Sequence, residues 1–179
     1  QCDEDDFNSS TIRITNNNII QIEGNTTVFS VNDVITIETT INNTQTTNSN
    51  TNIILSDYDY GEVGQSFYQN YLKLYKQTAF GTVTEIPLTN ANIQSIEGDT
   101  TIYNDQISVR SIFNGNTNKN KFSITLLEPG TFYLAGLRFI SHNNGQLYIT
   151  GGDYNLNYVE INSTIVNAND DEAYEFTVN

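Results

Sequence analysis

The chain has 179 residues, dominated by Asn, Thr and Ile, with no Met and no Trp, and its 21 acidic residues far outnumber its 7 basic ones. A formal charge of −14 excludes a nucleic-acid backbone as partner, because phosphate binding needs Lys and Arg to displace counterions, and it disfavours anionic lipid headgroups. No stretch approaches the ~20 apolar residues of a membrane-spanning helix; strand- and turn-favouring residues with 11 Tyr and 9 Phe predict an all-β fold with almost no helix.

In chain order, residues 1–10 read as a flexible acidic tether. Gln1-Cys2-Asp3-Glu4-Asp5-Asp6-Phe7 precedes the first hydrophobic alternation, and four consecutive acids repel one another and stay extended. A single cysteine cannot close an internal disulfide, which leaves a free thiol or a covalent attachment at Cys2. The segment resembles the mature start of a bacterial lipoprotein, and Cys followed by an acidic cluster is similar to the export signal of Bacteroidetes surface lipoproteins. That resemblance implies acylation of Cys2 and a cell-surface position on the outer membrane, with contact to the bilayer through lipid alone. Gln1 departs from the Ala, Gly or Ser that usually precedes such a cysteine. Acyl chains hold through about 0.8 kcal/mol per buried methylene, so the folded part needs no apolar membrane-facing patch.

Two halves then echo each other. Ile22-Glu23-Gly24-Asn25-Thr26-Thr27-Val28-Phe29 returns as Ile96-Glu97-Gly98-Asp99-Thr100-Thr101-Ile102-Tyr103, and Asn32 to Ile37 matches Asn104 to Val109. Glu62 to Tyr68 parallels Glu128 to Tyr133 with one residue of slippage, after which Leu72 and Leu74 answer Leu137 and Phe139. Order-preserving matches predict a duplication, hence two tandem immunoglobulin-like antiparallel β-sandwich units over 11–90 and 91–179. The alternative is one larger two-sheet sandwich built from both halves. Period-two alternation puts Ile35, Ile37 and Ile41 on one face and Thr36, Glu38 and Thr40 on the other; Ile107, Val109 and Phe113 oppose Ser108 and Arg110. Residues 42–52 read as a long polar loop, and later strands are expected over 146–150, 158–166 and 173–178.

Little of this points to catalysis, and we expect no enzyme. His142 is the only histidine, so multi-His metal centres are excluded and one general base is left; Ser141 is expected on the opposite strand face. Asp57-Tyr58-Asp59-Tyr60-Gly61-Glu62 alternates acids around a glycine, so Asp57, Asp59 and Glu62 form a candidate calcium site with oxygen ligands. Asp153, Asp170, Asp171 and Glu172 could add ligands; a solvated acidic turn is the bland reading. Tyr71 and Tyr75 flank Lys73 on the face opposite Leu72 and Leu74, with Tyr58 and Tyr60 upstream. Exposed tyrosines favour protein or sugar partners, whereas a covered face would make them packing residues. Asp99-Thr100-Thr101 resembles the Bacteroidetes O-glycan acceptor motif, which implies modification at Thr100.

Phe29 to Ile35 and Glu128-Pro129-Gly130-Thr131-Phe132-Tyr133-Leu134, together with the acidic start, look like uncharacterised flavobacterial cell-surface lipoproteins with immunoglobulin-like domains. The resemblance implies a fold and an envelope location and no catalytic residue. We therefore expect a non-catalytic binding or assembly module docking on an outer-membrane β-barrel or envelope complex. The alternative is a cell-surface carbohydrate- or ligand-binding module, assisted by calcium as its cofactor.

Overall fold

The computed structural model describes residues 10–58, 67–153 and 157–179, with the side chains of residues 153 and 157 outside that set. Cys2, Asp59, Tyr60 and Glu62 lie outside the described residues. Sixteen strands run in order among the described residues: β1 Ser10–Thr15, β2 Ile20–Ile22, β3 Val28–Phe29, β4 Val34–Asn42, β5 Thr44–Thr46, β6 Asn52–Ile54, β7 Phe67–Gln77, β8 Val83–Glu85, β9 Ile93–Glu97, β10 Asp99–Tyr103, β11 Gln106–Phe113, β12 Thr117–Thr125, β13 Gly130–Ala135, β14 Leu147–Asp153, β15 Asn157–Ser163 and β16 Tyr174–Val178. One helical turn, α1 (Phe139–His142), and a few 3-10 turns join them. The all-β expectation holds.

One large curled sheet carries the order β1-β15-β14-β7-β11-β12-β4-β2, and β5 and β6 form a small second sheet. The polar segment 42–52, expected as loop, therefore contains a short hairpin. It is closed by Thr47 N–H donating to Thr51 O at 2.8 Å and tied to β1 by Asn48 N–H donating to Arg13 O at 2.8 Å. The long strand β7 is the hub. Its first half pairs antiparallel with β11, from Phe67↔Ile112 to Leu72↔Ile107, and touches β14 at Gln69↔Thr150. Its second half pairs with β13 from Lys73↔Ala135 to Lys76↔Phe132, and with β8 from Tyr75↔Glu85 to Gln77↔Val83. The sheet curls back on itself where Ile20 bridges Ile165 in parallel and Val166 N–H donates to Ile20 O at 2.8 Å.

This pairing is that of one larger sandwich, not of two tandem units. β7 from the first half pairs with β11 and β13 from the second, and β4 pairs along its whole length with β12. A single cluster gathers Ile35, Ile37, Tyr68 and Leu74 with Ile107, Phe122, Ile149 and Phe176. Neither half could bury its apolar faces alone, since each supplies what covers the other. The expected alternation is present: Ile35, Ile37 and Ile41 are buried, as are Ile107 and Val109, while Phe113 is half-buried.

The third repeat block behaves differently. Phe132 and Leu134 of β13 enter the main core, so its inward parity is one residue from that expected, and Tyr133 faces the opposite side. Leu137 is exposed and Phe139 lies in α1 rather than in a strand. The strand stops at Gly136, where a Cβ would collide with the Gln146 carbonyl oxygen. The chain then turns, with Phe139 N–H donating to Gly136 O at 3.3 Å.

Candidate functional site

The turn between β7 and β8 is Thr78-Ala79-Phe80-Gly81-Thr82. Thr78 N–H donates to Thr82 O at 2.7 Å, Gly81 N–H donates to Thr78 O at 3.0 Å, and the two threonine hydroxyls meet at 2.7 Å. Gly81 supplies the left-handed φ of +80° that closes the turn. This well-bonded hairpin holds Phe80 at its tip, 94% exposed. Burying a Phe side chain contributes roughly 1.5–3 kcal/mol, and the fold leaves that contribution unused in the free chain.

A separate apolar cleft of ≈ 340 Å³ lies between Leu74 of β7, the segment after β8 (Ile86 and Leu88), the segment after β12 (Leu126 and Leu127) and Phe132 of β13. Leu127 on this cleft is itself largely exposed. Above Phe132, Lys76 Nζ lies 5.4 Å from the ring centroid and 3.3 Å from Glu128 Oε1, so its charge is spent within the fold. That pattern is general. Arg13, Lys73, Lys76, Lys119 and Lys121 each pair with a glutamate, at 2.7–3.6 Å. Most of the basic charge of the chain is thus neutralised locally, and the acidic excess is what the surface offers to solvent. The surface is therefore acidic, with one projecting apolar side chain and, elsewhere, an apolar cleft.

The residues singled out in the sequence do not converge on one site. Asp57 is exposed on the 3-10 turn Leu55–Tyr58, and Tyr58 is half-buried against the main core. Its proposed calcium partners Asp59 and Glu62 lie outside the described residues. Among the described residues no group of three His, Cys, Asp or Glu is placed to hold a metal ion. Asp170 and Asp171 are exposed.

Tyr71 is half-buried, and its hydroxyl accepts from Gln69 Nε2 at 2.9 Å. Lys73 pairs with Glu85 at 2.8 Å. Tyr75 is 0% exposed, packs edge-on against Phe139 at 5.0 Å between centroids, and donates its hydroxyl to Gly136 O at 2.8 Å. Burial, reinforced by the nearby Glu85 charge, pushes its pKa well above the usual tyrosine value. Tyr75 is therefore a packing residue of a second small core with Ala135, Phe139 and Ala173, and not an exposed binding handle. α1 roofs the face of the sheet that the sequence left open.

Thr100 also needs correction. It is 5% exposed, and its Oγ1 lies 3.0 Å from Asn120 Nδ2 and 3.2 Å from Asn120 Oδ1. A buried hydroxyl held by an amide is closed to a glycosyltransferase. Ser141 and His142, expected on opposite faces, share the helical turn, with Ser141 Oγ 2.6 Å from His142 Nδ1. Both are exposed, so water competes directly for that hydrogen bond.

Two polar features escaped the sequence reading. One is a cleft of ≈ 480 Å³ lined by amides, among them Asn17, Asn18, Gln146, Asn167 and Asn169, together with Glu172. Glu172 Oε2 is buried there without a hydrogen-bond partner, and the residue has a φ of +63°. The other lies inside the sheet. Asn70, Ser111 and Asn118 occupy inward positions in register with the core residues Leu72, Val109 and Phe122, and all three are buried. Asn70 Nδ2 and Oδ1, Ser111 Oγ and Asn118 Oδ1 have no hydrogen-bond partner in the protein. A buried polar group left unsatisfied costs about 1–3 kcal/mol. Four such atoms would then consume about 4–12 kcal/mol, comparable with the whole stability of a domain at about 5–15 kcal/mol.

Phe80 was equally missed, although Thr-Ala-Phe-Gly-Thr between two strand patterns shows it: a large aromatic stands where turn chemistry calls for small or polar residues. Fold and site together define an all-β, sandwich-like protein with a projecting aromatic hairpin and a separate apolar cleft. A scan against protein-family models finds no match, and a search of the curated proteins finds none either.

Proposed function

We propose that this chain is a non-catalytic docking module of the bacterial cell envelope, which engages a basic protein surface through Phe80. The supporting observation is Phe80 itself, nearly fully exposed at the tip of a turn closed by three hydrogen bonds. Isolated exposed aromatics are ordinary, but one presented on an ordered hairpin is already arranged for insertion, so little conformational entropy is lost on docking. The anchor in this proposal is acyl lipid on Cys2, followed by the acidic run. The partner is an outer-membrane β-barrel or an associated envelope protein.

Co-purification tests this. The full chain is expressed with its anchor and extracted in mild detergent, alongside Phe80→Ser. A companion protein should be retained by the parent chain, lost with Phe80→Ser, and released by moderate salt as acidic–basic attraction is screened. Equal retention by both chains would refute the docking role of Phe80. Mass measurement of the N-terminal peptide tests acylation of Cys2.

The amide-lined cleft favours a second reading, capture of a polar ligand such as a glycan. Asn and Gln side chains both donate and accept, as sugar hydroxyls require, and Glu172 adds a charged acceptor. A glycan array probed with and without chelator separates this reading from protein docking and addresses calcium at the same time.

A further inference from the structure

We infer that the interior of the sheet between β7, β11 and β12 is an internal hydration site, in which ordered water is held by Asn70, Ser111 and Asn118. The pairing registers place these residues in one diagonal row, with Ser111 between Asn70 and Asn118. Asn70 stands opposite Val109 and Tyr68 opposite Ser111, which makes Ser111 the diagonal neighbour of Asn70 on the inward face. The β11–β12 hairpin pairs Phe113 with Asn118 and Ile112 with Lys119, so Ser111 is diagonal to Asn118 as well. Diagonal neighbours in a sheet are separated by roughly 7–8 Å between Cα atoms. Such short side chains stay beyond direct contact at that separation, and a bridging molecule with bonds of about 2.8 Å on each side spans it.

The chemistry of the unpartnered atoms selects the occupant. Asn70 presents both a donor and an acceptor, Ser111 a hydroxyl that does either, and Asn118 an acceptor. A cation would face the Asn70 amide hydrogens, and an anion would face two amide oxygens. A neutral molecule that donates and accepts satisfies all of them, and water is the one small enough to lie within a sheet interior. The neighbouring pair shows how this part of the sheet settles polar groups without water. There Asn120 Nδ2 donates to Arg110 O at 2.8 Å and meets Thr100 Oγ1 at 3.0 Å, and neither Asn120 nor Thr100 has an unpartnered buried atom.

The test is independent of any docking partner. On the isotope-labelled full chain, water–protein cross-relaxation is read at the side-chain amides of Asn70 and Asn118. Cross-peaks with the sign of water held for longer than nanoseconds are expected at both. Ser111→Ala, which trims the one hydroxyl diagonal to both amides, should weaken both peaks in a folded chain. Absence of the peaks from the parent chain overturns the inference, as does a direct hydrogen bond from Ser111 Oγ to either amide. A crystal structure showing an atom at about 2.3–2.6 Å from the amide oxygens, the separation typical of a hard cation, also overturns it.

Discussion

Replacing Tyr75 by Phe removes one hydroxyl from a site with no exposure and breaks its 2.8 Å bond to Gly136 O. Gly136 O keeps only the weaker 3.3 Å bond from Phe139 N–H, so the cost near neutral pH is that of one buried hydrogen bond, about 1–2 kcal/mol. For a chain of this length that lowers Tm by about 2–8 °C. The deficit should shrink in alkali. Burial, and secondarily Glu85, raises the Tyr75 pKa in the folded state above its unfolded value of 10.0. The stability it contributes is therefore complete below pH 10 and is lost as pH rises from there toward the folded value, because only the unfolded chain gains by ionising. By pH 11 that loss reaches about 1.4 kcal/mol for the parent chain, and the Phe variant escapes it. Denaturant unfolding at pH 7, 9, 10 and 11 should show the two stability curves converging near pH 11. A gap that stays constant across this range would refute the claim that Tyr75 resists ionisation through burial.

Other substitutions separate backbone strain from packing. Gly98→Ala should cost about 2–4 kcal/mol, because a left-handed φ of +73° is combined with a Cβ only 2.6 Å from Arg110 O and 2.8 Å from Lys119 O. Gly81→Ala, with a φ of +80° but open space around it, should cost only the ~1–2 kcal/mol of the strained dihedral; equal losses by thermal unfolding would argue that the Gly98 contacts yield freely. Thr100→Val leaves Asn120 short of a buried partner and should destabilise by about 1–3 kcal/mol, while intact-mass measurement of native material should show no glycan at Thr100. Lys73→Ala removes a pair to a half-exposed carboxylate and should change stability by less than about 1 kcal/mol.

The strand alternation was legible because it depends only on the period of the chain: Ile35, Ile37, Ile41, Ile107 and Val109 are buried as their spacing requires. The matched blocks were legible in part. Gly24 and Gly98 share a left-handed φ, +67° and +73°, yet the ends of the two blocks diverge, since Phe29 is buried and Tyr103 is exposed. Local likeness sets a local conformation and leaves the contacts open. The site was barely legible. Phe80 carried a signal through its turn, whereas the Asn70, Ser111 and Asn118 grouping draws on three strands and exists only once their register is set.

By itself the sequence determined an acidic, strand-built chain with defined inward faces, because charge and period-two patterning are properties of the chain alone. Only the tertiary structure decided that the two halves share one curled sheet and one core, that α1 covers Tyr75, and that Thr100 turns inward to Asn120. Those outcomes depend on which apolar face finds which partner, and burial is a relation between segments distant in the chain.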